Sequence, residues 1–360
     1  MKIGLFTELY PPSIGGQEIR FQQLARALHA RGHHVSIFTI DHRGDLPHFE
    51  LDNGVAIYRH PSDPNYMRPQ NRLRRSLKTM VSYSIWCRTA VKKHRLDLKI
   101  YNQWPLLHIP LATMTRGITV IDWCELRSGP FWSLIQNVFP RFAHLNIAVS
   151  NDVTRKIGRH TPNIFCVPSG IRLAEYKNFP RQRRSGLLYV GRINHHKNLP
   201  LLIQAFESLC AQGYHGRLTI AGSGPELPAI TALCESSSVK SQIDLLGHVT
   251  DTQKNTLLGS AEFLVITSRR EGFPRVVAEA IASGTPIITA AYPDNGTASI
   301  VNEYHCGRVV DPAPDAIAKA VLDCLENWNA LSSAAAQESG ALDWDQLIAQ
   351  FETAIEGIRS

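Results

Sequence analysis

Short runs of β-branched and aliphatic residues alternate with longer segments of helical periodicity over most of this chain. Such alternation is typical of βαβ units, in which each helix connects two parallel strands of one sheet. The sequence therefore predicts an α/β protein with doubly wound parallel sheets. The predicted strands are Lys2–Leu9, His34–Ile40, Val55–His60, Leu98–Asn102, Ile118–Ile121, Leu145–Val149, Ile164–Val167, Leu187–Val190, Leu218–Ala221, Ile243–Leu246, Phe263–Thr267, Pro286–Thr289 and Arg308–Val310.

The length of 360 residues exceeds what one core of ordinary size holds, so it predicts two domains. Residues 172–185 are polar and lack an apolar period, and we predict a linker there. The linker separates a Rossmann-like domain over residues 1–171 from a second one over 186–342. Residues 343–360 form an amphipathic helix that we expect to pack back on the first domain. Because open α/β sheets bind ligands at the carboxyl ends of their strands, we expect the two domains to face each other across a ligand-binding cleft.

The sequence shows no recognisable targeting signal, and together with the cysteine spacing this favours a cytoplasmic protein. No apolar run reaches the roughly 18–20 residues that a membrane span requires. The chain begins with the short segment Met1–Thr7, which is followed at once by Glu8, so the long apolar stretch of a signal peptide is missing. The seven cysteines are an odd number and include no Cys-x-x-Cys pair, so we expect reduced thiols rather than a zinc site or a disulfide framework.

Positive charge is concentrated in the first half of the chain. Residues 1–180 contain 24 Lys and Arg against 12 Asp and Glu, whereas residues 181–360 contain 14 against 19. The segment 68–99 interleaves apolar residues with basic ones at roughly helical spacing. Such a helix binds anionic membrane surfaces, although a core-facing apolar stripe with solvated cations has the same pattern. The basic residues of this segment are Arg68, Arg72, Arg74, Arg75, Lys78, Arg88, Lys92, Lys93, Arg95 and Lys99.

The strongest local motif is the segment Glu271-Gly272-Phe273-Pro274-Arg275-Val276-Val277-Ala278-Glu279, which directly follows a predicted strand. Pro274 fits the first helical position, so the amides of Gly272 and Phe273 would lie at a helix N-terminus that suits an anion or a sugar hydroxyl. The carboxylates of Glu271 and Glu279 could bind two sets of hydroxyl groups through charge-assisted hydrogen bonds. The same spacing also fits a surface glutamate followed by a helix-dipole glutamate.

Two further loops follow predicted strands. Arg192 and Lys197 come after the first strand of the second domain, and two cations at one strand end can neutralise a diphosphate. A solvated loop would also be basic. Gly15 and Gly16 lie between the first strand and the first helix. Backbone amides there could approach a phosphate or a sugar, or the glycines could simply form a tight turn.

Taken together, these motifs resemble glycosyltransferase family 4, a retaining family with the GT-B fold of two Rossmann-like domains. The resemblance covers nearly the whole chain in order and spacing, and the Glu-x7-Glu stretch is its most specific part. The matching segments are Tyr10-Pro11-Pro12 with Gly15-Gly16, Arg31-Gly32-His33-His34-Val35, Ala148-Val149-Ser150, Val167-Pro168-Ser169-Gly170-Ile171, Val190-Gly191-Arg192 with Lys197-Asn198, Gly222-Ser223-Gly224-Pro225, and residues 268–287.

The resemblance implies a role for each candidate residue. Arg192 and Lys197 would hold the donor diphosphate and its leaving charge. Glu279 would bind the nucleotide ribose, and Glu271 would bind the donor sugar together with the two amides that follow it. The donor-binding set implied by the resemblance is Gly15, Gly16, Arg192, Lys197, Gly272, Phe273 and Glu279.

The chain departs from the family at one catalytic position. The family often has a histidine near the reacting carbon, after a strand of the first domain. Here that region reads Val120-Ile121-Asp122-Trp123-Cys124-Glu125, without a histidine. We predict that Asp122 or Glu125 substitutes for it, and we count Asp122 with Arg192, Lys197 and Glu271 among the catalytic candidates. Ser169 also stands where the family usually has asparagine.

The function implied is retaining transfer from a nucleotide-diphosphate sugar to a glycan or lipid-linked acceptor, in the synthesis of surface polysaccharide, lipopolysaccharide or glycolipid. No metal ion or other cofactor is expected, because two basic side chains are available for the leaving diphosphate. We expect cytoplasmic localisation, with peripheral membrane contact through residues 68–99. The alternatives are a sugar-nucleotide epimerase on the same fold, a non-catalytic relative of the family, and a nucleic-acid-binding protein. The last would need a basic groove lined with aromatic residues or a recognisable binding module, so no nucleic-acid partner is expected.

Overall fold

The computed structural model describes residues 1–13, 15–62, 66, 76–113, 115–126 and 129–359. The chain divides into two compact units, of which the first comprises Met1–Gly170 and Trp344–Ser360 and the second Ile171–Asp343. Each unit is built around a sheet of mainly parallel strands, as the alternating sequence pattern predicts.

The sheet of the first unit reverses its strand order near the middle. Its strands are β1 (Lys2–Phe6), β2 (His34–Ile40), β3 (Phe49–Asp52), β4 (Val55–His60), β5 (Leu98–Asn102), β6 (Ile118–Trp123), β7 (Leu145–Ala148) and β8 (Ile164–Cys166). They lie in the order β3-β4-β2-β1-β5-β6-β7-β8. The order runs one way from β1 and the other way from β5, which makes the β1–β5 boundary the topological switch point of this sheet.

The predicted strands do not include β3, an antiparallel edge strand. It pairs with β4 so that Asp52 lies opposite Val55. The two residues between them, Asn53 and Gly54, have positive φ angles of 48° and 82°. An Asn-Gly pair with positive φ at both positions is the preferred two-residue hairpin turn, because its twist matches that of the flanking strands. The Asn-Gly dipeptide was therefore a usable hairpin signal that the prediction did not take up.

The helices of the first unit connect successive strands. The crossover rule for parallel strands places α1 on one face of the sheet and α2 to α5 on the other. The segment 68–99, whose spacing predicts a helix, contains α2, whose N-cap is Ser76, and residues 67–75 lie outside the described residues. The helices are α1 (Gly16–Ala30), α2 (Leu77–His94), α3 (His108–Thr113), α4 (Pro130–Val138) and α5 (Asn151–Gly158).

The second unit has a six-stranded parallel sheet among its described residues. Its strands are β9 (Leu187–Val190), β10 (Leu218–Ala221), β11 (Ile243–Gly247), β12 (Phe263–Ile266), β14 (Ile287–Ala290) and β16 (Gly307–Val310), with β13 (Arg270–Glu271) and β15 (Asp294–Asn295) forming a separate two-stranded ladder. The large sheet has the order β11-β10-β9-β12-β14-β16. Its switch point therefore lies between β9 and β12.

Helices cover both faces of the second sheet. The helices are α6 (Leu199–Ala211), α7 (Leu227–Ser236), α8 (Asp251–Ser260), α9 (Arg275–Ala282), α10 (Thr297–Glu303), α11 (Pro314–Glu326) and α12 (Trp328–Glu338). One buried cluster contains Phe206 of α6 and Val321 of α11. A second contains Leu258 of α8 and Ile281 of α9. The sheet thus has an apolar core on each side, which is typical of doubly wound domains.

Residues 172–185, predicted as a linker, lie within the second unit. Arg184 is only 4% exposed and anchors this segment to the body of the unit. Its guanidinium donates to the hydroxyl of Thr285 at 2.7 Å and to the carbonyl of Ala261 at 3.1 Å. It also lies 5.1 Å from the ring centroid of Trp328. Burial lowers the pKa of Arg184 to about 10.

The last helix, α13 (Trp344–Arg359), belongs to the first unit and packs beside α1. Its first residue, Trp344, donates from Nε1 to Gln23 at 3.1 Å. Gly170 lies against the same ring, since a Cβ at that position would be 2.5 Å from Trp344. Further along the helix, Glu352 accepts a hydrogen bond from Arg31 at 2.6 Å. The chain therefore enters the second unit at Ile171 and returns to the first at Trp344.

Candidate functional site

The switch point of the second sheet brings together three residues that the sequence singles out. Loops that follow the two strands at such a reversal diverge, and ligands of open α/β sheets bind in the crevice they leave. The loop after β9 contains Arg192 and Lys197, and the loop after β12 leads into Glu271. All three residues therefore lie at the carboxyl ends of two adjacent strands.

An ion pair between Lys197 and Glu271 joins the two loops. The two side chains expose only 17% and 11% of their surface. Lys197 ends a short 3-10 turn, and Asn198 leaves this turn in the left-handed conformation, with a φ of 53°. Glu271 lies in β13, and its carbonyl accepts a hydrogen bond from Gly296 at 2.8 Å. The carboxylate predicted to bind a sugar thus contacts the cation predicted to bind a diphosphate.

Two arginines accompany this pair in the two loops. Arg192 is exposed, and its carbonyl accepts a hydrogen bond from the Tyr189 hydroxyl at 3.1 Å. Arg269, which was not predicted, donates its backbone amide to the carbonyl of His196 at 2.8 Å. The guanidinium of Arg269 lies 3.4 Å from Nε2 of His195. Its position just before the Glu271 motif was the only signal in the sequence, because the contact with the β9 loop depends on sheet order.

Gly222 and Gly224, in the loop after β10, are required for backbone packing. Gly222 has a φ of 146°, and a Cβ there would lie 1.8 Å from the carbonyl oxygen of Gly191. A Cβ on Gly224 would lie 2.2 Å from the carbonyl oxygen of Ile193. The β9 and β10 loops are therefore in direct backbone contact, and this contact accounts for the glycine at both positions.

Gly272 and Phe273 lie between Glu271 and α9. Pro274 is the N-cap of this helix, with a φ of −64° and a ψ of 124°, so the helix begins one residue later than predicted, at Arg275. Phe273 is partly buried against the core cluster beneath α8 and α9. The two amides therefore lie immediately before the first turn of α9 and next to the Glu271 carboxylate in the chain.

Glu279 lies one turn into α9 and is only 2% exposed. Its Oε1 accepts a hydrogen bond from Nζ of Lys254 at 2.8 Å and lies 2.9 Å from Nε of Arg275. The hydroxyl of Tyr176 donates to the same oxygen at 3.2 Å. Burial and the Glu279 charge raise the pKa of Tyr176, which therefore stays a hydrogen-bond donor. A second contact of Lys254, to Asp251 at 2.8 Å, lowers the pKa of that carboxyl.

Gly15 and Gly16 belong to the first unit, at the start of α1. Gly15 is the N-cap residue, with an extended φ of −170°. A Cβ there would lie 2.3 Å from a carboxylate oxygen of Glu18, which also accepts a hydrogen bond from Ser13 at 3.2 Å. A Cβ on Gly16 would meet no atom within 4 Å. The space beside Gly16 is open, and its contact with a donor stays a prediction.

Asp122 does not have the surroundings of a residue that contacts substrate. Its side chain has no exposed surface, and its two oxygens accept hydrogen bonds from Arg20 at 2.8 and 3.1 Å. Arg20 also donates to the carbonyls of Val167 and Pro168, both at 2.8 Å. The pair ties α1 to β6 and to the segment after β8. This burial argues against our assignment of Asp122 to the reacting carbon and gives it a structural role.

The structure separates the residues of the basic segment 68–99 into buried and exposed groups. Leu77 and Val81 on α2 are 57% and 41% exposed, whereas Val91 is buried. Lys99 is fully buried in β5, donates to Thr115 and cannot serve as a surface cation, which corrects its inclusion among the membrane-facing residues. Burial lowers the pKa of Lys99 to about 8. The four arginines Arg68, Arg72, Arg74 and Arg75 lie outside the described residues.

The chain contains one Asp-x-Asp pattern, Asp343-Trp344-Asp345. It lies where the chain enters α13, and Asp343 accepts a hydrogen bond from the amide of Leu173 at 3.4 Å. Over the parts of the chain that the structure describes, no three or more His, Cys, Asp or Glu side chains are arranged to hold a metal ion. The Asp-x-Asp pattern therefore lies at the start of α13, where Asp343 contacts the backbone of the segment that follows Ile171.

Known protein families match both parts of the chain. The family model for glycosyltransferase family 4 matches residues 14–175, and that for glycosyl transferases group 1 matches residues 175–339. An uncharacterized glycosyltransferase of Methanocaldococcus jannaschii is 26% identical over 91% of this chain and 90% of its own length. The glycogen synthase of Mycobacterium tuberculosis is 26% identical over 83% of this chain and 80% of its own. The lipopolysaccharide glucosyltransferase WaaG of Escherichia coli is 23% identical over 82% of both chains.

Solved structures show the same fold. Sucrose-phosphate synthase from Thermosynechococcus elongatus superposes with a TM-score of 0.83 at 20% identity, covering 99% of this chain and 98% of the other. The Anabaena protein HepE in complex with UDP-glucose superposes with a TM-score of 0.74 at 16% identity, covering 99% and 100%. The two parallel-sheet units are thus those of the GT-B class, which confirms the predicted fold. The chain belongs to glycosyltransferase family 4 and is a glycosyltransferase.

Proposed function

We propose that this chain transfers a sugar from a nucleotide-diphosphate sugar to a glycan or lipid-linked acceptor, with retention of anomeric configuration. The observation that carries the proposal is the Lys197–Glu271 pair at the switch point of the second sheet, with Arg192 in the same loop as Lys197. It unites cations suited to a diphosphate with a carboxylate suited to sugar hydroxyls. HepE, which has the same fold, binds UDP-glucose, and this supports a nucleotide-sugar donor. Retention rests on the resemblance to a retaining family.

In the proposed reaction the bond between the anomeric carbon and the diphosphate oxygen breaks as the acceptor oxygen bonds to the same carbon. The electron pair of the broken bond goes to the leaving diphosphate oxygen, and the proton that the acceptor hydroxyl loses passes to that diphosphate. Arg192 and Lys197 stabilise the charge that develops on the diphosphate, as preorganised donors do in other transfer reactions. Glu271 and the amides of Gly272 and Phe273 hold the sugar hydroxyls. Glu279 accepts hydrogen bonds from the ribose.

We also propose that the acceptor is presented at an anionic membrane surface. Exposed apolar residues lie along α2, where Leu77 is 57% and Ile85 58% exposed, and along α4, where Phe131 is 62% and Leu134 61% exposed. The helix α2 contains no acidic residue, and Lys78, Lys92 and Lys93 on it are exposed. Apolar side chains with basic neighbours suit peripheral binding to anionic lipid. No helix within the described residues is long and apolar enough to cross a bilayer.

Lipid-linked or surface-glycan acceptors also accord with the relatives. WaaG of Escherichia coli is described as a lipopolysaccharide glucosyltransferase, whereas the Mycobacterium tuberculosis relative is a glycogen synthase. The exposed apolar surface of α2 and α4 favours an acceptor of the first kind, because enzymes that act on a free glucan need no such surface.

A panel of nucleotide sugars and nucleoside diphosphates tests the donor class by thermal shift. A ligand that binds only the folded protein stabilises it by about 3–4 kcal/mol at 100 to 1,000 times its dissociation constant. We expect at least one nucleotide sugar to raise the unfolding midpoint, and Lys197→Ala to reduce the increase. A panel of UDP-, GDP- and ADP-sugars that leaves the midpoint of the wild-type protein unchanged would contradict the proposal.

A further inference from the structure

The contacts of the Glu279 carboxylate are strongly asymmetric. Lys254, Arg275 and Tyr176 all approach Oε1, at 2.8, 2.9 and 3.2 Å. Among the residues that the structure describes, none donates a hydrogen bond to Oε2. An ionised carboxylate that is only 2% exposed needs compensating charge, and here two cations supply it on one side. The second oxygen keeps its acceptor capacity for a ligand.

We propose that Lys254 is the positioning residue of the ribose site. Its ammonium holds Oε1 of Glu279, so that Oε2 is presented to the pair of neighbouring hydroxyls on the donor ribose. This inference rests on the proposed function, in which Glu279 binds the ribose. It adds a residue, Lys254, that no motif in the sequence indicates. By orienting Glu279, Lys254 would favour a ribonucleotide over a deoxyribonucleotide.

Lys254 is better placed for this role than Arg275. Arg275 is four residues before Glu279 on the same helix, α9, so it moves with the carboxylate and cannot fix it against another element. Lys254 lies in the first turn of α8, the helix that follows β11. Asp251 of the same helical turn also contacts the Lys254 ammonium at 2.8 Å. The Lys254 side chain is only 13% exposed. It therefore ties the rotamer of Glu279 to the neighbouring helix.

The proposal predicts how hydroxyl groups on the ribose contribute to binding. A hydrogen bond from a ribose hydroxyl to an oriented carboxylate is charge-assisted, and its loss in a deoxynucleotide should weaken binding by about 10-fold to 100-fold. Without Lys254 the carboxylate can rotate, so the wild-type preference for the ribonucleotide should fall toward one. Contacts with the diphosphate lie in the β9 loop and should not change.

The experiment is calorimetric titration with UDP, GDP and ADP, followed by the 2′-deoxy form of the tightest ligand and by inorganic pyrophosphate. The variants are Lys254→Met, which removes the charge, and Lys254→Arg, which keeps it. Lys240→Met is the matched control, since Lys240 is an exposed lysine of the same unit. We expect Lys254→Met to lose about 10-fold or more in ribonucleotide affinity and most of the ribo-to-deoxy preference. Lys254→Arg should restore part of both, and pyrophosphate affinity should stay within about twofold.

Two results would overturn the inference while leaving the proposed function intact. One is a Lys254→Met protein that keeps the wild-type ratio of ribonucleotide to deoxynucleotide affinity. The other is an equal loss of affinity for the ribonucleotide, its 2′-deoxy form and pyrophosphate. If Lys254→Met does not fold, the same ratio is measured on Lys254→Gln, which keeps a donor without the charge. A wild-type protein that binds none of the nucleoside diphosphates would overturn the proposed function, and the inference with it.

Discussion

Lys197 changes partner in the proposed reaction, from Glu271 in the free protein to the diphosphate of the bound donor. Both side chains are largely buried, so each depends on the other for charge compensation. A donor that places its diphosphate near Lys197 and its sugar near Glu271 would satisfy both groups at once. The pair is therefore consistent with a donor whose diphosphate lies at Lys197 and whose sugar lies at Glu271.

Replacing either cation of the β9 loop should reduce turnover far more than stability. We expect Lys197→Ala and Arg192→Ala each to raise the activation free energy by about 2–4 kcal/mol, because a preorganised donor to the leaving group is lost. This increase lowers kcat by roughly 30-fold to 1,000-fold. Initial rates of nucleoside diphosphate release measure the effect, and thermal midpoints control for folding. Lys240→Ala serves as a matched surface control. Turnover close to wild type in both site variants would remove these residues from the mechanism.

The Arg20–Asp122 pair should matter for stability. Removing one partner of a buried ion pair leaves an uncompensated charge, and we expect Asp122→Asn to lower the free energy of unfolding by about 3–5 kcal/mol. Urea unfolding measures this loss. Replacing both residues with apolar ones, as in Arg20→Met with Asp122→Leu, should recover part of it. An Asp122→Asn protein of unchanged stability but abolished turnover would restore the catalytic assignment that the burial argues against.

Lys99 should make stability depend on pH. Its pKa in the folded protein is lowered to about 8 by burial, so between pH 8 and pH 10 the unfolded chain holds more protons at this group than the folded chain does. The free energy of unfolding should therefore rise with pH over this range, whereas well below pH 8, where both states hold the proton, Lys99 should add no pH dependence. Lys99→Met should remove about 1–2 kcal/mol of this rise. Parallel stability profiles of the two proteins would contradict the assignment.

Local sequence motifs predicted the site residues that lie in the loops after strands. They missed the residues that packing between helices brings to the site. Arg192, Lys197 and Glu271 each follow a strand directly, so sheet topology alone brings them together. Lys254 lies 25 residues before its partner Glu279, and only the packing of α8 beside α9 joins them. Asp122 shows the converse case, because its sequence position at a strand end does not reveal that Arg20 from α1 covers the carboxylate.

At the scale of elements, the core strands were predicted well, since their apolar runs have few alternatives. The structure places β2, β4, β5, β9 and β10 at the predicted boundaries. The failures are short elements that depend on partners elsewhere in the chain, such as the edge strand β3 and the β13–β15 ladder that holds Glu271. A two-residue strand has no periodicity to detect.

The exposed apolar residues of α2 and α4 give a prediction about elements. Sedimentation with liposomes of anionic lipid should show binding at low salt that weakens at high salt. Leu77→Ser with Val81→Ser on α2, or Phe131→Ser with Leu134→Ser on α4, should reduce binding several-fold. Leu246→Ser is the control, because Leu246 is 46% exposed in the second unit. No dependence on anionic lipid at low salt would leave these residues as ordinary surface.

At the scale of the whole molecule, each unit presents the carboxyl ends of a doubly wound sheet, and all the candidate donor residues except Gly15 and Gly16 lie in the second unit. The proposal assigns neutralisation of the leaving diphosphate to side chains. We therefore expect turnover to continue in EDTA at about the same rate. Activity that EDTA abolishes and magnesium restores would show that Arg192 and Lys197 do not suffice for the leaving group.

Retaining transfer from a nucleotide sugar is tested by following donor breakdown and product stereochemistry together. The wild-type protein is incubated with each nucleotide sugar and a candidate acceptor while proton NMR records the anomeric signals. We expect one donor to lose its nucleoside diphosphate, the first product signal to have the anomeric configuration of the donor, and Lys197→Ala to slow both changes equally. Release of no nucleoside diphosphate from any donor, or a first product of inverted configuration, would contradict it.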